Sequence, residues 1–114
     1  MNEAIHYHIL KTINDNPEVS QRELARKAGI SLGKVNYCLR ALVDKGCIKV
    51  MNFKNAENKV NYLYKLTPSG LEEKARVTVQ FLRRKVEEYD RLPLEIAELK
   101  AEVRKIGGIE GFKD

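Results

Sequence analysis

The stretch from Ser20 to Gly46 limits what this chain can fold into more than any other. Its apolar residues fall where two helices joined by a tight turn require them. Ser20, Gln21, Arg22 and Glu23 form an S-x-x-E capping box. In such a box a hydroxyl closes the first turn and a carboxylate reaches back to the cap N–H. Leu24, Ala25 and Ala28 then line one face of a short helix. Gly29 is a C-terminal stop that tolerates positive φ. Ile30 plugs the turn, and Ser31 caps a second helix. That helix turns Val35, Leu39 and Leu42 inward and stops at Gly46. A tight turn with one buried apolar residue sets two helices at a steep angle, which frees the second to enter a DNA groove.

At 114 residues the chain suits one small domain with an appended helix. A hydrophobic content of 43% argues against wholesale disorder. A core of this size gains from a partner subunit. No apolar run approaches the ~20 residues of a membrane span, and the N-terminus has no secretory apolar segment. A cytoplasmic protein without a membrane partner is expected.

The net charge of +5 is modest, but its placement is informative. Residues 20–66 carry ten Lys and Arg against three acidic side chains, whereas residues 67–114 carry ten of each. The basic excess therefore sits on the helix-turn-helix and the segment after it, as a phosphate-binding surface requires. Cys38 and Cys47 lack C-x-x-C spacing, and His6 and His8 lie far from both in sequence, so no metal site is expected. Both thiols read as buried and inert. No paired carboxylates and no Gly-rich phosphate loop are present, and the two His fall on different helix faces. Neither an enzyme nor a cofactor is expected.

Along the chain, residues 2–16 form a first helix with Ile5, Ile9, Leu10 and Ile13 on one face, broken at Asn14–Pro17. Val19 precedes the capping box as a hydrophobic staple. Beyond Gly46 the period changes. Cys47–Met51 reads as a short strand, and Val60–Leu66 alternates, with Val60, Tyr62, Tyr64 and Leu66 on one side. The polar segment Asn52–Lys59 is then a hairpin tip. The fold class is mainly α with a small β-hairpin, a winged helix-turn-helix followed by a long C-terminal helix.

Thr67-Pro68 opens that helix, with Thr as cap and Pro at the first helical position. A 4-3 spacing runs through Leu71, Ala75, Thr78, Leu82, Lys85, Tyr89, Leu92, Ile96, Leu99, Val103 and Ile106, the pattern of a coiled-coil seam. Leu71, Ala75, Leu82, Tyr89, Leu92, Ile96, Leu99, Val103 and Ile106 are the candidate dimerisation residues. Pro93 predicts a kink or a break near Asp90–Leu92. Residues 1–67 are thus the DNA-binding domain, 68–107 the dimerisation segment and 108–114 a frayed tail.

The outward positions of the second motif helix are Ser31, Gly33, Lys34, Asn36, Tyr37 and Arg40. Gly33 permits close approach to a phosphate at the helix N-terminus. Arg40 suits guanine and Asn36 adenine through paired hydrogen bonds, each worth roughly 1–3 kcal/mol of discrimination. Tyr37 suits a sugar or a thymine methyl, and Lys34 suits bases or phosphates. Arg22, Arg26 and Lys27 on the supporting helix suit phosphates. In the wing, Lys54, Asn55, Asn58 and Lys59 suit phosphates or a minor groove.

With these elements in order, the chain resembles a MarR-type winged-helix regulator. The resemblance rests on Ser20-x-x-Glu23-Leu24-Ala25-x-x-x-Gly29-Ile30-Ser31, Val35-x-x-x-Leu39-x-x-Leu42-x-x-x-Gly46 and Leu66-Thr67-Pro68-x-Gly70. It covers about residues 3–90. Its length and long C-terminal helix are similar to those of small MarR-like regulators linked to exopolysaccharide gene clusters. The resemblance implies a homodimer on double-stranded DNA at a pseudo-palindromic operator, usually repressing, with Ser31, Lys34, Asn36, Tyr37 and Arg40 facing DNA. MarR proteins usually carry a further N-terminal helix that builds the dimer and an effector pocket. Here the chain starts almost at the first winged-helix element, so dimerisation is expected to rest on residues 68–106 and such a pocket is not expected. Two alternatives stay open: a protein-interaction module that uses the tail without DNA, and a sensor switched by a ligand or by oxidation of Cys38 or Cys47.

Overall fold

The computed structural model describes residues 3–54, 57 and 60–107. Its elements are α1 (Glu3–Asp15), α2 (Gln21–Ala28), α3 (Leu32–Asp44), β1 (Ile48–Lys54), β2 (Val60–Leu66) and α4 (Pro68–Lys105). The architecture is that of a winged helix-turn-helix with a long C-terminal helix. The chain divides into two compact units, Met1–Phe81 and Leu82–Asp114.

The first unit holds the core. Ile9, Leu10 and Ile13 of α1 meet Leu24 of α2, Val35, Cys38, Leu39 and Leu42 of α3, and Ile48, Tyr64 and Leu66 of the hairpin. Burying each large aliphatic side chain contributes about 1.5–3 kcal/mol, and together they fix how the helices cross. The helix ends follow local chemistry. Ser20 Oγ accepts the Glu23 N–H at 3.1 Å, and Ser31 Oγ accepts the Lys34 N–H at 3.1 Å. The Ser20 box closes only by half, because the Glu23 carboxylate is taken by the Arg26 guanidinium. Gly29 and Gly46 both stand at positive φ and end their helices in Schellman turns. In these the Ile30 N–H reaches Ala25 O at 3.1 Å, and the Cys47 N–H reaches Leu42 O at 2.9 Å.

β1 and β2 pair antiparallel from Ile48 opposite Leu66 to Lys54 opposite Val60. The strand begins at Ile48 and continues through Asn52, Phe53 and Lys54, three residues that the sequence assigns to the tip. Pairing with Tyr62, Asn61 and Val60 extends the ladder past the polar composition that suggested a turn. Across the α1–α2 connection, the Tyr64 N–H donates to Pro17 O at 2.9 Å, which ties the hairpin to the helical layer.

The start of α4 is locked to the α3–β1 turn. Thr67 Oγ1 accepts the Gly70 N–H at 3.1 Å and donates to Gly46 O, while the Thr67 N–H reaches Cys47 O at 3.0 Å. A Cβ on Gly70 would stand 2.0 Å from Cys47 O, so only glycine permits this approach. Val77, one helical repeat further on, is fully buried. Phe81 stacks on Tyr7 with ring centroids 4.7 Å apart.

The expected break at Pro93 does not occur. α4 runs 38 residues with Pro93 inside it. Proline removes one backbone donor, but the side chains around it are exposed, so water reaches the carbonyl left behind. From Leu82 to Gly107 no described side chain is buried. The tail at 108–114 lies outside the described residues.

Candidate nucleic-acid interface

The two faces of α3 have opposite fates. Val35, Cys38, Leu39 and Leu42 are buried, and this burial turns Gly33, Lys34, Asn36, Tyr37 and Arg40 outward, all exposed. Gly33, Asn36, Tyr37 and Arg40 follow helical spacing on one face, so the fold gathers them into a single strip. Tyr37 is 63% exposed, with the Lys34 ammonium 5.9 Å from its ring centroid, a cation–π contact that holds a positive charge beside the ring. At the start of the strip Ser31 is exposed, its hydroxyl engaged as the cap. Among the described residues nothing lies within 4 Å of where a Gly33 Cβ would sit. The fold itself therefore does not require a glycine there, in contrast to Gly70.

On α2, Arg22, Arg26 and Lys27 are exposed. They are not equivalent. Arg26 donates two hydrogen bonds to Glu23, which hold the Glu23 carboxyl below the usual carboxylate range. Arg26 is thus ion-paired within α2, whereas Arg22 and Lys27 have no ion pair among the described residues. In the hairpin, Lys54 ends β1. Its side chain and residues Asn55, Asn58 and Lys59 lie outside the described residues.

A groove between α3 and the hairpin was not legible in the sequence. Asn36, Arg40 and Val43 line one wall, Val50 and Tyr62 the other, with Gln21 and Tyr64 at one end. Gln21 Nε2 donates to the Tyr64 hydroxyl at 3.3 Å and braces α2 against the sheet. The alternation in β2 carried a partial signal. Tyr62 shares a face with the buried Tyr64 and Leu66, yet it is 53% exposed because the strand has passed beyond the core. Lys49 and Lys65 form a directly opposed pair on the other sheet face, away from this groove.

Other titratable groups lie within the first unit. His6 is buried, and its Nε2 has no hydrogen-bond partner among the described residues. Burial lowers its pKa, and the charge of Lys45 adds to the effect. Burial pushes the Cys47 thiol up, with the Glu73 carboxylate adding, so it is a thiol rather than a thiolate at neutral pH. Among the described residues no three His, Cys, Asp or Glu stand together as metal ligands would. Among the described residues no helix is long and apolar enough to cross a membrane.

Residues 3–49 match the family described as winged helix-turn-helix DNA-binding. No curated protein matches the chain in sequence. Among solved structures, the chain is similar to the MarR-family protein Rv2887 of Mycobacterium tuberculosis in complex with salicylic acid. That match has 23% identity over 90% of this chain and 76% of the other, with a TM-score of 0.62. The PcaV transcriptional regulator of Streptomyces coelicolor, bound to its natural ligand, aligns at 19% identity over 90% and 72% of the two chains, TM-score 0.58. A variant of Staphylococcus aureus MepR bound to an oligodeoxyribonucleotide aligns at 22% identity over 93% and 76%, TM-score 0.54. At these identities the likeness is one of fold.

Proposed function

We propose that this winged helix-turn-helix chain, with the fold of MarR-family regulators, is a sequence-specific DNA-binding transcriptional regulator. It acts in the cytoplasm as a homodimer on a pseudo-palindromic operator and represses. The observation that carries the reading is the exposed strip on α3. A helix whose inner face anchors the core presents Lys34, Asn36, Tyr37 and Arg40 together on the outer one. These are the side chains that read major-groove edges and hold backbone.

In this reading Arg40 and Asn36 contact bases, while Tyr37, Lys34 and Gly33 fit the strip against sugar and phosphate. Ser31 stands at the helix N-terminus beside a phosphate. Arg22 and Lys27 hold phosphates from α2, and Arg26 joins them by leaving Glu23. Lys54, Asn55, Asn58 and Lys59 reach the flanking backbone or minor groove from the wing. DNA binding belongs to residues 1–67, and residues 68–107 bring two copies together through the α4 seam. The DNA-bound MepR structure, similar in fold, supports this use of the architecture.

A genomic-fragment binding selection at ~150 mM salt tests the reading, because weak phosphate-only contacts are largely suppressed there. An enriched inverted repeat is expected, its half-sites roughly 34–36 Å apart or a multiple of that. Recovery of fragments with no shared motif would overturn it.

A further inference from the structure

The second unit carries an interaction surface with a decipherable partner. α4 continues unbroken through Pro93, and its seam is open: Leu82, Tyr89, Leu92, Ile96, Leu99 and Ile106 are 43–75% exposed. An apolar stripe of this length that no described residue covers is made to be covered. The 4-3 spacing sets the heptad. Leu82, Tyr89, Ile96 and Val103 take the a positions, and Lys85, Leu92, Leu99 and Ile106 take the d positions.

Resting on the dimer proposed above, we propose that residues 82–106 form a parallel, in-register, two-stranded coiled coil with a second copy of this chain. Two independent features select this occupant and this orientation. The first is the shape of the seam. β-branched Ile96 and Val103 at a alternate with Leu92 and Leu99 at d, the arrangement that favours two parallel strands over three or four.

The second is the flanking charge. The g positions are Glu88, Glu95 and Glu102, and Lys100 is at e. In a parallel pair each g residue faces the e residue five positions on in the other helix, which brings Glu95 to Lys100 of the second copy, twice by symmetry. An antiparallel pair sets g against g, so these glutamates would oppose one another. Lys85, the charged seam residue, bonds Glu88 of its own helix at 3.2 Å, which carries its ammonium toward the rim. Pro93 falls at e. Its ring flanks the seam without interrupting it, which explains how a proline sits within an assembling helix.

The test combines mass and cross-linking on the full chain. Sedimentation equilibrium is expected to give a dimer. The Leu99→Cys variant, oxidised in air, is expected to form a disulfide-linked dimer, because identical d positions adjoin only in a parallel register. The wild-type chain, with Cys38 and Cys47 both buried, is the control expected to stay unlinked. Glu95→Lys is expected to weaken the dimer about tenfold, and the Glu95→Lys/Lys100→Glu double variant to restore it. A dimer that does not link through position 99, and that tightens with Glu95→Lys, would establish antiparallel pairing and overturn the proposal while leaving the dimer reading intact. A trimer would overturn the two-stranded form, and a monomer would overturn both.

Discussion

The two units use the same kind of residue for opposite ends. Among the described residues of 3–81, apolar side chains at helical and strand spacing close on one another and make one buried cluster. In residues 82–107, side chains just as apolar and just as regularly spaced remain uncovered. Periodicity fixes which side of a helix is apolar, but connectivity decides whether the chain covers that side itself. Short connections fold α1, α2, α3 and the hairpin onto each other. Beyond Leu82 the 38-residue α4 has no second segment folded onto it among the described residues. The first unit is therefore expected to be stable by itself, and the second to depend on concentration.

The largest effects should fall where the first unit has no slack. Gly70→Ala is expected to cost about 3 kcal/mol or more in urea unfolding, since its Cβ would strike the Cys47 carbonyl. Leu10→Ala should cost about 2–5 kcal/mol. Leu99→Ala, an equal truncation in the second unit, should leave unfolding of the first unit unchanged and weaken only association. Equal losses from Leu10→Ala and Leu99→Ala in a dilute monomeric sample would show that the two units do not differ in this way.

His6 makes the stability of the first unit depend on pH. Its folded pKa is depressed by burial and by the nearby Lys45 charge, with Arg76 acting in the same direction and Glu73 opposing. The unfolded chain therefore binds the proton more readily, and stability should fall as pH drops below ~6.5, the unfolded value. His6→Phe should flatten that dependence. Thermal unfolding between pH 7.5 and 5 reads it, and an unchanged pH slope in the variant would remove His6 as the cause.

The smallest expected effect is at Lys65, which directly opposes Lys49 across the hairpin. Lys65→Glu should stabilise the first unit by about 0.2–1 kcal/mol at low salt, fading as salt screens the pair. A gain that persisted at 1 M salt would point to packing rather than charge.

Local chemistry made most of the fold legible. Ser20, Ser31 and Thr67 each cap the helix they announce, and Gly29 and Gly46 end theirs. What sequence reasoning misplaced depends on tertiary pairing. Asn52–Lys54 look like a turn until a partner strand makes them a ladder. Pro93 looks like a break until exposure lets water meet the orphaned carbonyl. Gly70, one position of the Leu66-Thr67-Pro68-x-Gly70 motif, is a contact point whose partner lies 23 residues earlier. The outward strip of α3 was readable because Val35, Leu39 and Leu42 define its opposite. The groove beside it was not, since Val50 and Tyr62 come to it through a sheet register that no local pattern specifies.

The claim that the outer strip of α3 reads DNA sequence is tested most directly by repeating the genomic selection with Arg40→Ala. The same inverted repeat is expected, with preference relaxed at one position in each half-site by about 1–3 kcal/mol per position. Affinity that fell equally on every sequence, with the motif unchanged, would make Arg40 a phosphate contact and contradict the assignment of α3 as the reader.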